Sequence, residues 1–137
     1  MFSHKTRYAL MACTLLAKEY GNGPIAIGKI AEQEHIPQRF LEGILLQLKR
    51  RGVLVSERGK IGGYALAQPP ATITIDQIVL ECENGLLIEC LSGDASKTCE
   101  FAKEINACHL RSIYGNIYSE YVAILRKYTL ADLAGKK

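Results

Sequence analysis

Three cysteines in the second half of the chain have a spacing that could support chemistry: Cys90, Cys99 and Cys108 follow one another at equal intervals. Three thiolates can hold three corners of an iron–sulfur cluster and leave one position for another ligand. Three unligated thiols, or a simple redox switch, would fit the same spacing. Cys13 and Cys82 stand among apolar residues instead, and we expect both of them in the core.

The positive charge of the chain is concentrated in one region. Between residues 38 and 60 the cations outnumber the acids, whereas between residues 76 and 104 the acids dominate. The first region suits a polyanion and the second repels it. Because the net charge of +3 is only mildly basic, an ordinary solvated surface remains an alternative explanation of the charges.

Several classes of protein are disfavoured by the composition. The sequence has no Ser/His/Asp, zinc-hydrolase or phosphate-loop pattern, so we do not expect an enzyme. The odd number of cysteines, five in all, argues against a disulfide framework. The longest mostly apolar stretch, residues 8–17, has about half the length needed to cross a bilayer. A cytoplasmic location without membrane contact is therefore expected.

The periodicity of the apolar residues predicts the elements that must position these groups. It indicates a mainly α fold with a small β-hairpin, in one compact domain. Gly52 is expected to end the third helix. Helices are predicted over residues 6–20, 27–33, 37–51, 75–83 and 109–127, with a final turn at 129–133, and strands over 53–55 and 64–66. The buried stripe predicted for the third helix is Phe40, Leu41, Ile44, Leu45 and Leu48.

The order of helix, short helix, turn, helix and hairpin is that of a winged helix-turn-helix. Its third helix fits the major groove, the hairpin tip fits a narrow minor groove, and the start of the first helix can hold phosphate. A simple glycine-rich turn, or a module for protein interaction, is the alternative. The predicted DNA contacts are Lys5, Thr6, Arg7, Gln38, Arg39, Glu42, Arg58, Gly59, Lys60, Gly62 and Gly63.

Short segments along nearly the whole chain carry a resemblance to a known family. They are Arg7-Tyr8-Ala9, Gly23-Pro24, Ile30-Ala31, Phe40-Leu41-Glu42, Leu48, Gly52-Val53-Leu54, Arg58-Gly59, Gly62-Gly63-Tyr64-Ala65-Leu66 and Tyr128-Thr129-Leu130-Ala131-Asp132-Leu133. In these segments the chain resembles the bacterial Rrf-two family of winged-helix transcription regulators, of the IscR, NsrR, RirA and CymR type. The resemblance implies a homodimer that is joined by its long C-terminal helices and binds a roughly palindromic operator.

The predicted C-terminal helix agrees with such a dimer. Its apolar stripe, from Leu110 to Leu125, is too broad to be covered by the flank of a small domain. Gly115 costs about 1 kcal/mol relative to alanine inside a helix, and close approach of a second helix would explain it. A purely intramolecular core helix is the alternative. Residues 1–70 then form the DNA-binding part, and residues 71–137 hold the cysteine segment and the dimerisation helix.

Several members of the resembled family bind a 2Fe–2S or 4Fe–4S cluster through three cysteines in this segment, and the cluster state shifts their DNA affinity. The ligands that this implies here are Cys90, Cys99 and Cys108. The chain departs from the IscR pattern, because its cysteine spacing is longer and Arg111 stands where IscR has a ligand histidine. His109, or His4 or Tyr8 of the partner's first helix, remain open as the fourth ligand.

The predicted function is a sequence-specific transcription regulator that senses iron–sulfur cluster, iron, or redox and nitrosative status through these cysteines. A metal-free regulator of the same fold, responding to thiol oxidation or cysteine metabolism, is the alternative. In either case a change in the loop over residues 84–107 would alter the spacing of the two recognition helices, and DNA affinity would follow from the difference between the two states.

Overall fold

The computed structural model describes residues 2–60, 62–83 and 109–135 of the chain. Within them the fold is mainly α with one two-stranded antiparallel sheet, as predicted, and every predicted element is present with its ends displaced by at most two residues. The helices are α1 (His4–Lys18), α2 (Ile27–Glu34), α3 (Gln38–Arg50), α4 (Asp76–Cys82), α5 (His109–Leu125) and α6 (Leu130–Leu133), and the strands are β1 (Leu54–Glu57) and β2 (Gly63–Leu66).

Helix α1 lies at the centre of the core. The Ser3 hydroxyl caps it by accepting the backbone N–H of Thr6 at 3.2 Å, which satisfies one donor at the helix N-terminus. Because much of its inward face consists of small residues, α3 and α4 can approach it closely. The buried residues of α1 are Thr6, Ala9, Ala12, Cys13, Leu16 and Ala17.

The two described cysteines are free thiols inside this core, which confirms their predicted role. Cys13 lies on α1 and Cys82 on the last turn of α4, and both are buried. Burial raises the pKa of Cys82 to about 11 and raises that of Cys13 as well. Since thiolate is the reactive form of cysteine, neither residue is suited to nucleophilic or ligand chemistry near neutral pH.

Helices α2 and α3 form the helix-turn-helix. His35 ends α2 in the left-handed region, at φ 53°, and turns the chain toward α3. Helix α3 then buries an apolar row of Leu41, Ile44, Leu45 and Leu48. The prediction for Phe40 is wrong, because its side chain is 53% exposed. It precedes Leu41 by one residue, which is about 100° around a helix and therefore outside the buried row.

The hairpin is joined to the rest of the domain at its base. Strands β1 and β2 pair with Leu54 opposite Leu66 and Glu57 opposite Gly63. Ile25, in the connection between α1 and α2, exchanges two backbone hydrogen bonds of 2.9 Å with Tyr64. The base of the wing is therefore fixed, while its tip extends into solvent.

The end of α5 is attached to the core, but most of its apolar stripe is not. Val122 and Leu125 are buried, and Leu125 packs with α4 in a small second cluster. Leu110, Ile113, Ile117 and Ile124 are each more than half exposed. No described part of the chain covers these four side chains, so the described residues do not support a purely intramolecular core helix.

Candidate nucleic-acid interface

The first turns of α3 present the side chains that the sequence predicts for base recognition. Gln38, Arg39 and Glu42 are all exposed, since the apolar row of the helix faces the core. The guanidinium of Arg39 lies 5.3 Å from the centre of the Phe40 ring, a distance at which a cation is attracted to an aromatic face. Phe40, absent from the predicted contacts, thus supports an arginine that points into solvent.

The tip of the wing carries positive charge on an exposed turn. Arg58, Gly59 and Lys60 are exposed, and Gly59 has a φ of 111°, which favours glycine. The backbone N–H of Gly62 donates to the carbonyl of Gly59 at 3.0 Å and closes the turn. The structure therefore places both predicted cations at the tip. Ile61, between them and the second strand, lies outside the described residues.

Gly62 and Gly63 have a structural role that is independent of DNA. A Cβ atom on Gly62 would overlap the backbone carbonyl of Glu57, and one on Gly63 would overlap the carbonyl of Ile25. Both glycines are half-buried. Their predicted contact with DNA stays a prediction, but close packing of backbone already requires them.

The start of α1 differs from the prediction at one residue. Lys5 is half-buried and Arg7 is exposed, but Thr6 is fully buried and its hydroxyl donates to the Glu83 carboxylate at 2.8 Å. The same carboxylate oxygen accepts the backbone N–H of Ser3 at 3.0 Å. Thr6 is therefore not available to a phosphate and does not belong to the proposed interface.

Glu83 predicts a measurable pH dependence of stability. The Ser3 N–H and then the Thr6 hydroxyl hold the pKa of Glu83 below the ordinary glutamate value of 4.5, against the opposing effect of burial. A depressed pKa stabilises the folded state fully above the unfolded value, and this stabilisation is lost as the pH falls through the folded pKa. We expect Glu83→Gln to flatten the acid limb of the unfolding free energy below about pH 4.5.

Chemical denaturation between pH 3 and pH 7 measures this effect. Glu32→Gln, on the exposed face of α2, is the control, and its curve should run parallel to that of the unmodified chain. A Glu83→Gln curve that also runs parallel would show that the contact with the start of α1 does not stabilise the fold.

The candidate cluster ligands can be placed only in part. Cys90, Cys99 and Cys108 lie outside the described residues. Of the open fourth ligands, His4 and His109 are exposed at the first residues of α1 and α5. The His4 and Tyr8 rings are 6.1 Å apart. Among the described residues no three His, Cys, Asp or Glu side chains stand together as a metal site.

An open groove of about 700 Å³ between α1 and α3 was not anticipated from the sequence. His4, Lys5 and Tyr8 line one wall, and Arg39 and Phe40 belong to the other. The sequence offers one local sign of such a groove, the aromatic residue Phe40 at the edge of the apolar row of α3. It lies directly beside the side chains that are predicted to read DNA.

Comparison with known proteins decides the family. Residues 2–136 match the model of the Rrf2 family, described as an iron-dependent transcriptional regulator. The chain belongs to the Rrf2 family. This Rrf2 chain is 33% identical to an rrf2-like HTH-type transcriptional regulator of Rhodobacter capsulatus, over 97% of the chain and 91% of that protein. It is likewise 33% identical to the HTH-type regulator slr0846 of Synechocystis, over 94% and 84%.

Solved structures are similar over nearly the whole Rrf2 chain. IscR of T. potens matches with a TM-score of 0.73 at 26% identity, over 97% of this chain and 85% of that one. CymR, the global cysteine regulator of B. subtilis, matches with a TM-score of 0.74 at 29% identity, over 98% and 96%. The predicted winged-helix fold and family are thus confirmed.

The family also settles the broad function. This Rrf2 chain is a DNA-binding transcriptional regulator and not an enzyme, as predicted. Its solved neighbours include both IscR and CymR, so the signal it senses is not decided by the family. In the described ranges, none of the helices has the length and apolar character that a membrane crossing requires.

Proposed function

We propose that two copies of this chain bind one operator, each placing the first turns of α3 in the major groove and the wing tip in an adjoining minor groove. The orientation of α3 carries the proposal: its apolar row is buried, and Gln38, Arg39 and Glu42 are exposed. These residue types match adenine, guanine and cytosine edges respectively. Arg58 and Lys60 supply the charge that a narrow minor groove attracts.

The same chain offers a surface for the second copy. The exposed residues Leu110, Ile113, Ile117 and Ile124 recur at helical spacing along α5, and an uncovered apolar stripe of this kind marks an interface. Gly115 is half-buried but stands two residues from both Ile113 and Ile117, which places it about 160° away on the other side of α5, so it does not belong to this stripe. Twofold pairing of α5 presents two α3 helices to the duplex, and a roughly palindromic operator follows from that symmetry.

DNA binding is tested by operator selection from random duplexes, followed by titration at several salt concentrations. We expect two chains per duplex, and we expect the logarithm of the binding constant to fall linearly with the logarithm of salt concentration. Arg58→Ala should weaken binding most at operators with a narrow minor groove, and Lys60→Ala should reduce the salt slope by about 1.

Lys127→Ala is the matched control, because it removes one exposed positive charge outside the proposed interface. It should leave the salt slope nearly unchanged. The wing would not belong to the proposed interface if the Lys60 and Lys127 variants lost equal salt slope. The same would follow if Arg58→Ala lost equal affinity at operators with narrow and with wide minor grooves. One chain per duplex would contradict the proposed dimer.

For the signal, we favour an iron–sulfur cluster held by Cys90, Cys99 and Cys108. Three cysteine thiolates are the donor set that such clusters use, and the family is described as iron-dependent. His109 adjoins Cys108 and is exposed at the start of α5, and His4 is the other candidate for the fourth position. A bound cluster would supply a redox-sensitive charge state, and the cysteine segment would transmit it through the dimer helix.

A metal-free regulator is the second candidate, and it rests on the similarity to CymR. In this case Cys90, Cys99 and Cys108 act as thiols, and oxidation or a partner from cysteine metabolism changes DNA affinity. The thiolate fraction of these cysteines would then determine the response.

Iron and sulfide analysis after anaerobic purification separates these two candidates. We expect the unmodified chain to contain iron in a roughly stoichiometric ratio to protein, and we expect Cys99→Ser to lose most of this iron. Cys13→Ala is the control, since this thiol is buried in the core, and its iron content should be unchanged. An iron-free chain after reconstitution, with DNA binding that still depends on thiol oxidation, would favour the metal-free regulator.

A further inference from the structure

The last turn of α4 makes a directional contact with the DNA-reading helix. The Gln47 side-chain amide on α3 donates to the backbone carbonyl of Glu81 at 2.9 Å and to its carboxylate at 2.8 Å. The other carboxylate oxygen of Glu81 lies 2.5 Å from Nε of Arg51, the residue that ends α3. The Glu81 side chain is only 15% exposed, so water competes weakly for its contacts with Gln47, whereas the Arg51 side chain is 68% exposed and its ion pair is more open to solvent.

We propose that Glu81 is a positioning residue for DNA recognition: its carboxylate and carbonyl set the rotation and axial position of α3. This inference rests on the proposed function of α3. Gln47 and Arg51 are four residues apart and thus share one face of the helix. Two directional contacts one turn apart oppose both rotation about the helix axis and sliding along it.

Apolar packing alone would define the orientation of α3 less sharply. The buried row of Leu41, Ile44, Leu45 and Leu48 contributes non-directional stabilisation, which tolerates small shifts. Hydrogen bonds weaken steeply when their angles depart from linearity. The Glu81 contacts therefore supply an angular restraint that the leucine and isoleucine side chains do not.

A small tilt of α3 at the Gln47–Glu81 contact produces a larger displacement at the start of the helix, where Gln38 stands. Gln47 and Gln38 are nine residues apart on one helix, which corresponds to about 13.5 Å of rise. A tilt of about 5° at Gln47 would displace Gln38 by about 1 Å over that length. Bidentate contacts to bases lose their geometry over such a displacement, whereas phosphate contacts of long cations adapt to it.

The end of α4 that carries Glu81 is also bonded to the start of α1. Glu83, two residues further along, accepts hydrogen bonds from Ser3 and Thr6 at the start of α1. Cys82, between the two glutamates, is buried in the core. The end of α4 therefore joins α1 to α3, and Glu81 transfers the position of α1 to the recognition helix.

Glu81→Ala and Glu81→Gln test this inference by the sign of their effect. Loss of a negative charge from a DNA-binding chain should by itself raise affinity for any duplex. A positioning role predicts the opposite for the selected operator, with affinity lower by about tenfold, while affinity for an unrelated duplex stays equal or rises. Titrations with both duplexes at one salt concentration give the operator ratio, which is the affinity for the selected operator divided by the affinity for the unrelated duplex.

Gln77→Ala is the control, because this residue lies one turn earlier on α4 and is exposed. This variant should bind the operator and the unrelated duplex with unchanged affinity. A merely structural role of Glu81 would lower the melting temperature and reduce the active fraction, so both duplexes would lose binding in proportion. If Gln47 and Glu81 act through one contact, the double variant with Gln47→Ala and Glu81→Gln should have nearly the same operator ratio as Glu81→Gln alone.

The failures of the two proposals can be told apart. If the unmodified chain shows no salt-dependent binding to any duplex, the proposed function of α3 is overturned. If the unmodified chain binds its operator and both Glu81 variants retain or increase the operator ratio, the positioning role alone is overturned.

Discussion

Arg39→Ala is expected to weaken binding to the selected operator by about one to two orders of magnitude, the range for losing one bidentate contact to a base. Arg39 stands on the first turn of α3 and is exposed, and its guanidinium lies against the Phe40 ring. Stacking restricts the side chain before DNA arrives, so less conformational freedom is lost on binding. Titration of operator and unrelated duplex at fixed salt measures the loss.

Two further variants separate base reading from charge. Arg50→Ala removes the same charge from the exposed far end of α3 and should reduce both affinities by a similar, smaller factor. Arg39→Lys keeps the charge but lacks the planar fork that matches guanine, so operator preference should fall while the salt slope stays. If Arg39→Ala and Arg50→Ala give the same losses on both duplexes, Arg39 does not read a base.

Gly63→Ala is expected to lower stability by about 3 kcal/mol, because it puts a methyl group where the wing touches the core. The new Cβ would overlap the Ile25 carbonyl. Relief requires either strain or loss of the two 2.9 Å hydrogen bonds between Ile25 and Tyr64. Thermal unfolding should show a melting temperature lower by about 10 °C.

Gly43→Ala provides a control of opposite sign. Gly43 lies inside α3 with open space around a built Cβ, so alanine there should stabilise the chain by about 0.5–1 kcal/mol. If Gly63→Ala unfolds at the temperature of the unmodified chain, the Ile25 contact does not anchor the wing. If it unfolds earlier and binds DNA with unchanged affinity when folded, the anchor serves stability and not wing placement.

Much of the fold was predictable because its signals are local. The row from Leu41 to Leu48 has the period of one helix face, and Gly52, which directly follows the C-cap Arg51, has a φ of 81°. The glycines around Arg58 likewise marked a tight turn before any contact was known. Phe40 shows the limit of this reasoning, since it borders the apolar row and periodicity alone could not decide which side it faces.

The exposure of the candidate contact residues was predictable where a side chain simply faces outward. Gln38, Arg39 and Arg58 follow from the elements that carry them, because a helix or turn with one side buried exposes the other. The sequence predicts Thr6 as a DNA contact, but the residue is buried, because its partner Glu83 is remote in sequence and only folding brings the two together. Glu81 counts in the sequence only as one of the acids between residues 76 and 104, because nothing near it in sequence indicates a contact with Gln47.

The sequence by itself determined the order of elements, the outward face of α3, the charged wing tip and the family of the chain. These depend on periodicity and on short motifs, which neighbouring residues encode. The tertiary structure alone decided that Thr6 is buried, that Gly63 must lie against Ile25, and that Glu81 contacts Gln47 and Arg51. Each of these depends on a distance between remote segments, and no local pattern specifies such a distance.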